Sequence, residues 1–122
     1  MYEVIFYYDR KGESEIVNWL DSLKYAGDKD KNRRINWKKV LSYIGALEKY
    51  GTQIGEPYVK YLESGIWELR PLRNRILFFC YRDNKFVLLH HFIKKTQKTL
   101  RREIEKALRN MQDYLEREGE YE

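Results

Sequence analysis

The sequence predicts an α+β fold: an antiparallel-dominated sheet of four to five strands, two N-terminal helices packed on one face, and a C-terminal helix. Three observations predict it. A short run rich in Val, Ile, Phe and Tyr opens the chain, and two stretches of helical periodicity follow before any further strand. The second half changes to a period of two, with short connections that favour local antiparallel pairing. A last amphipathic stretch then closes the sequence. At 122 residues this is one domain, residues 1–122, with no internal repeat and no low-complexity segment.

Tyr2 to Tyr8 forms the first strand, ended by Asp9 to Gly12. Ile16, Leu20 and Leu23 then recur at helical spacing, with Ser14 as N-cap and Gly27 as stop. Asp28 to Arg34 is charged and reads as a loop into a second helix, whose apolar stripe is Trp37, Val40, Leu41, Ile44 and Leu47 and whose stop is Gly51. Tyr58 to Leu62 is a weak strand after Pro57. Ile66 to Leu72 alternates Ile66, Glu68 and Arg70 against Trp67 and Leu69, as a half-buried strand does. Ile76 to Tyr81 and Phe86 to Phe92 are nearly continuous apolar runs, hence central strands, joined by a tight turn at Asp83, Asn84 and Lys85. Thr99 caps the final helix, which buries Ile104, Ala107, Leu108, Met111 and Leu115.

Composition excludes several classes of function. With 43% hydrophobic and 35% charged residues and only 7 Gly and 2 Pro, the chain is too apolar and too poor in breakers to be disordered. No apolar run reaches the roughly 20 residues of a membrane-spanning helix, and Glu3 and Asp9 sit where a signal peptide is basic and then greasy, so no membrane partner is expected. One cysteine, Cys80, and 2 histidines leave no internal disulfide and too few ligands for a structural zinc site. A reduced, cytoplasmic protein without metal or cofactor is expected.

Charge is unevenly spread. From Arg70 to Arg102 there are ten Lys and Arg against Asp83 alone, whereas residues 1–69 balance and residues 103–122 are acidic. An almost acid-free stretch suits a polyanion, since neutralising phosphates releases counterions; the alternative is a solvated basic surface. A two-residue turn at Asp83 and Asn84 sets Arg75 opposite Phe92 and puts Arg75, Leu77 and Phe79 on one face with Leu88, His90 and Phe92. If Arg73 and Asn74 form the preceding turn, Arg70 pairs with Leu77, and Glu68, Arg70 and Arg75 project to the same side; another loop length flips this. Glu68, Arg70, Arg75, His90 and Lys94 then converge. That inventory fits RNA cleavage by the ribose hydroxyl, which needs a base, a cation for the phosphorane and an acid for the leaving oxygen.

The run Gly65-Ile66-Trp67-Glu68-Leu69-Arg70, then Arg75 opening an apolar strand, then Leu88-Leu89-His90-His91-Phe92-Ile93-Lys94-Lys95-Thr96-Gln97-Lys98-Thr99 resembles the phage-derived HigB-like branch of the RelE/ParE toxin superfamily. The preceding helices and Gly55 to Tyr58 also fit that branch. The resemblance implies a RelE-like fold and the toxin of a type II toxin–antitoxin module. Such a toxin is a ribosome-dependent mRNA endonuclease that acts in the ribosomal A site without a metal. Its implied partners are the ribosome, mRNA and a HigA-like helix-turn-helix antitoxin. Arg70, Arg75, Lys94 and Lys95 match basic family positions and Phe92 an aromatic one. Two positions depart from relatives: Glu68 stands where better-studied RelE proteins carry lysine, and Leu100 where the branch usually has proline.

The catalytic candidates are therefore Arg70, Arg75, His90, His91, Lys94 and Glu68, and the RNA-binding candidates Arg73, Phe92, Lys95, Lys98, Arg101 and Arg102. Each has an ordinary alternative. Arg70 could simply pair with Glu68, one of the two histidines must face the core, and Phe92 could be packing. A solvated lysine is a poor base at neutral pH, so Lys94 and Lys95 suit gripping phosphates. Which group is the base stays open. The rival functions are a ParE-like gyrase inhibitor without nuclease activity and a catalytically inactive RNA-binding relative.

Overall fold

The structure is a computed structural model and describes residues 1–121. Its elements are β1 (Glu3–Phe6), α1 (Glu15–Gly27), α2 (Lys31–Tyr50), a single 3₁₀ turn (Gly51–Ile54), β2 (Val59–Glu63), β3 (Ile66–Leu69), β4 (Asn74–Tyr81), β5 (Lys85–Ile93) and α3 (Arg101–Tyr121). The five strands make one sheet in the order β1-β5-β4-β3-β2.

The α+β class holds, with two corrections to the expected arrangement. The sheet is mixed, because β1 runs parallel to β5 while the β2–β3, β3–β4 and β4–β5 pairs are antiparallel. The chain leaves β1 through two helices before it returns to the sheet, and a crossover of that length permits the parallel pairing that a tight turn forbids. The helices also occupy both faces, giving three layers. Ile16 and Leu20 of α1 and Val40, Ile44 and Leu47 of α2 pack on Val59, Leu69, Ile76, Phe78, Phe86 and Leu88. Ala107, Leu108, Met111 and Tyr114 of α3 pack on Ile66, Leu77, Phe79, Val87 and Leu89 from the other side.

Local signals set the helix ends. Ser14 caps α1, its hydroxyl accepting from the Val17 amide at 3.3 Å. The expected loop over 28–34 is shorter than its charge suggests. Asp30 caps α2 by accepting from the amides of Asn32 and Arg33 at 2.9 and 3.3 Å, so the helix starts at Lys31. Gly27 permits this tight connection, since a Cβ there would lie 3.1 Å from Arg34 Cα. Asp30→Ala should cost about 1 kcal/mol of stability, read from the midpoint of urea unfolding. Thr99 does not cap α3; the Leu100 carbonyl accepts the first amide bonds, from Glu103 and Ile104 at 3.0 and 3.3 Å, and the Thr99 hydroxyl goes elsewhere.

Register decides what the sheet presents on each face. Arg75 does sit opposite Phe92, yet it gets there through two irregularities that cancel. The β4–β5 turn holds three residues, Arg82, Asp83 and Asn84, because Tyr81 pairs with Lys85, and Arg82 takes the left-handed conformation, φ 59°. A bulge between Leu77 and Phe78, which pair with His90 and Leu88 in turn, shifts the register back. Leu88 consequently lies on the α1–α2 face rather than beside Leu77 and Phe79. On β3, Leu77 pairs with Glu68 and not Arg70, because the β3–β4 connection runs through Pro71, Leu72 and Arg73, with Leu72 at φ 58° and the Asn74 amide bonded to the Pro71 carbonyl at 3.0 Å. The slip is two residues, an even number, so Glu68 and Arg70 keep the face expected of them.

Candidate functional site

The end of β3, the start of β4, the segment after β5 and the first turn of α3 enclose a pocket of about 200 Å³. Glu68, Arg70, Arg75, Phe92, Lys94, Lys95, Lys98, Thr99, Arg102 and Glu103 are among its lining residues. The α3 side of the sheet carries Glu68 and Arg75, and the segment 94–100 folds across them before α3 begins. The Lys94 amide donates to the Arg73 carbonyl at 2.8 Å, which ties that segment to the β3–β4 turn.

Glu68 is the hub of the pocket. It is 1% exposed, and three groups converge on its carboxylate: Arg70 Nε donates to Oε1 at 3.0 Å, the Thr99 hydroxyl donates to Oε2 at 2.5 Å, and Arg75 Nε makes an ion pair with Oε1 at 3.8 Å. The two guanidinium groups thus share one anion and one face of the sheet. Arg70 also reaches Glu56, at 3.8 Å. Arg75 is further held from its Nη1, which donates to the carbonyls of Leu72 and Asn74 at 3.0 and 2.8 Å. Burial pulls the Arg75 guanidinium below its usual range, Glu68 pulls it back up and the Arg70 cation adds to the depression; an arginine remains charged throughout. Nη2 of Arg75 has no protein partner among the described residues.

His90 lies behind this pocket, opposite Leu77 and buried. Its Nδ1 is 2.7 Å from Glu15 Oε1 on α1 and its Nε2 is 2.9 Å from Glu103 Oε1 on α3. Burial alone would lower its pKa, but hydrogen bonds and charge from the two carboxylates outweigh that and raise it. Its ring stacks on Phe92 with centroids 5.8 Å apart, so Phe92 is partly committed to packing.

The other sequence candidates divide. Lys94, Lys95, Lys98 and Arg102 do line the pocket. Arg73 borders an adjoining groove, with Nη2 3.3 Å from the Lys94 carbonyl. Arg101 turns the other way, donating to Glu63 at 2.6 Å and to Glu105 at 3.3 Å. His91 faces the α1–α2 side, stacked on Trp19 at 3.4 Å and 16°, and takes no part in the pocket. Three participants escape sequence reasoning: Thr99 as a partner of Glu68, and the carboxylates Glu15 and Glu103. Glu103 left one trace, as the first acid after the run from Arg70 to Arg102 that holds Asp83 alone.

Among the described residues no helix is long and apolar enough to cross a membrane, and no three His, Cys, Asp or Glu side chains are grouped to hold a metal ion. A search of the curated proteins finds no match. A family model described as phage derived protein Gp49-like (DUF891) matches residues 18–112. That span holds most of the chain, including α2, strands β2 to β5 and every pocket residue named above, and so the chain belongs to the phage-derived Gp49-like family.

Proposed function

We propose that this chain is the toxin of a type II toxin–antitoxin module, HigB-like within the RelE superfamily, and that it cleaves mRNA on the ribosome. The family's association with RelE-type toxins supports the first half. The observation that carries the second is the pairing of Arg70 and Arg75 on one buried carboxylate at the floor of a pocket rimmed by Lys94, Lys95, Lys98 and Arg102.

In this reading the ribose 2′-oxygen attacks the neighbouring phosphorus. Arg70 and Arg75 carry the charge of the phosphorane, and the lysines and Arg102 hold flanking phosphates. Glu68 holds the two arginines side by side, with Arg70 and the Thr99 hydroxyl hydrogen-bonded to its two oxygens and Arg75 paired with it at 3.8 Å. His91, stacked on Trp19 across the sheet, serves the core. An antitoxin of the HigA-like, helix-turn-helix kind would keep the chain off the ribosome.

Expression of the parent should arrest growth and translation, and primer extension on a translated message should show cuts only with ribosomes present. Arg70→Ala should lower cleavage about 100-fold, as loss of one preorganised donor to a developing oxyanion does, and Lys94→Ala should weaken it with a shallower dependence on salt, because one fewer phosphate is neutralised. If both variants arrest growth as strongly as the parent, the reading is wrong. Inhibition of gyrase supercoiling without RNA cleavage would replace it with the ParE-like alternative.

A further inference from the structure

The nuclease reading leaves two chemical roles unfilled, the base that takes the proton of the 2′-hydroxyl and the acid that protonates the leaving oxygen, and the pocket offers a candidate for the first. Both oxygens of Glu68 already accept a hydrogen bond, and His90 has a carboxylate on each ring nitrogen. Glu103 is different. It stands in the first turn of α3, lines the same pocket as Arg70 and Arg75, and its side chain is 19% exposed. Only its Oε1 is engaged, by His90; Oε2 has no partner among the described residues.

A chain of three groups stands behind it. Glu103 Oε1, His90 Nε2, His90 Nδ1 and Glu15 Oε1 follow one another at 2.9 and 2.7 Å across α3, β5 and α1. Neutral imidazole has one N–H, so it can donate to only one of two carboxylates; donating to both requires imidazolium. Glu15 is itself held in place by the His91 amide at 3.2 Å and by Lys106 Nζ at 3.8 Å. The charged and titratable groups around His90 are thus Glu15 from α1, Glu103 and Lys106 from α3 and His91 from β5, with Glu68 and Arg75 of the pocket on the β3 and β4 side.

We infer that Glu103 is the proton acceptor of this pocket and that His90, locked between Glu103 and Glu15, is the residue that positions it. The inference rests on the nuclease reading. In the step, the O2′–H bond breaks and its proton passes to Glu103 Oε2. The O2′–P bond forms and the P–O5′ bond breaks. The departing O5′ takes a proton from water, and Glu103 returns its own to solvent. The products are a 2′,3′-cyclic phosphate and a 5′-hydroxyl.

The test uses the full chain with ribosomes translating a defined message, and measures the cleavage rate against pH for the parent, Glu103→Gln, Glu103→Asp and Glu15→Gln. Glu103→Gln should lose about 100-fold or more in rate while it still sediments with ribosomes, and Glu103→Asp should recover part of the loss. Glu15→Gln removes a charge that favours imidazolium, so His90 deprotonates at lower pH and the fall of rate on the alkaline side should move to lower pH. A purely structural role would not shift that limb. The His90 ring titration, followed by NMR, should move the same way in Glu15→Gln and in Glu103→Gln. Glu103→Gln cleaving within threefold of the parent, or an unmoved alkaline limb in Glu15→Gln, overturns the inference alone. A parent that does not cleave translated message at all overturns the nuclease reading, and this inference with it.

Discussion

Glu68→Ala is expected to cost about 3 to 5 kcal/mol of folding stability, the usual consequence of removing one partner of a buried ion pair. The cost comes less from the lost attraction than from what is left behind. Arg75, its side chain only 10% exposed, would keep its bonds to the Leu72 and Asn74 carbonyls but face no anion. Arg70 is 24% exposed and retains Glu56, so it would suffer less. The Thr99 hydroxyl would also lose its acceptor. Urea midpoints of Glu68→Ala, Arg75→Met and the double variant give the check. The double variant should be more stable than the sum of the single losses implies, by about 1 to 3 kcal/mol, because it leaves no charge stranded. A loss under about 1 kcal/mol for Glu68→Ala would rank the trio with ordinary surface pairs and remove Glu68 as the anchor of the clamp. Glu68→Gln separates anchor from base: an anchor loses stability along with cleavage, whereas a base loses cleavage and keeps its fold.

The two arginines were legible in the sequence for a specific reason. Alternation along Ile66 to Arg70 assigns Glu68 and Arg70 to one face whatever the exact pairing, and the two-residue slip of β3 against β4 left that assignment intact. The pairing of Arg75 with Phe92 was legible only because the three-residue turn and the bulge offset each other; Leu88, which lies between the two irregularities, went to the wrong face. The parallel partner of β1 had no local signal at all, since periodicity reports which side of a strand is buried and not which strand lies beside it.

The candidate site divides along the same line. Its cations stand close together in sequence, and their excess from Arg70 to Arg102 is visible as composition. Its carboxylates do not. Glu15 is 75 positions from His90 and Glu103 is 13, each reaching the imidazole from a different helix on either side of β5. Neither has a spacing that distinguishes it from a solvated helical glutamate. Thr99 misled for a related reason: its hydroxyl suits an N-cap, but the helix starts one residue later than that role requires, and the hydroxyl instead donates to Glu68, 31 positions away.

Acidification should destabilise the chain by about 3 kcal/mol between pH 6.5 and pH 4 through His91 alone. Burial pushes the pKa of His91 down to about 4, with Glu15 resisting and the neighbouring His90 charge reinforcing the shift. In the unfolded chain the same group titrates near 6.5, so across that window the unfolded state binds a proton that the folded state refuses, and stability falls as pH falls. The other members of the cluster act in different windows. His90 has its pKa raised; its contribution is complete below 6.5 and is lost as pH rises through the folded value. Glu15 has its pKa lowered, burial opposing and His90 prevailing; its contribution is present above 4.5 and is lost as pH falls through the folded value. His91→Phe keeps a ring to stack on Trp19 and gives up only a 3.4 Å contact with Asn74. Urea midpoints from pH 4 to 7 should therefore show a steep limb in the parent and a nearly flat one in His91→Phe. The substitution should spare cleavage, because the ring lies across the sheet from the arginines. Equal slopes in the two proteins would mean that His91 meets water in the folded state, and its assignment to the core would fail.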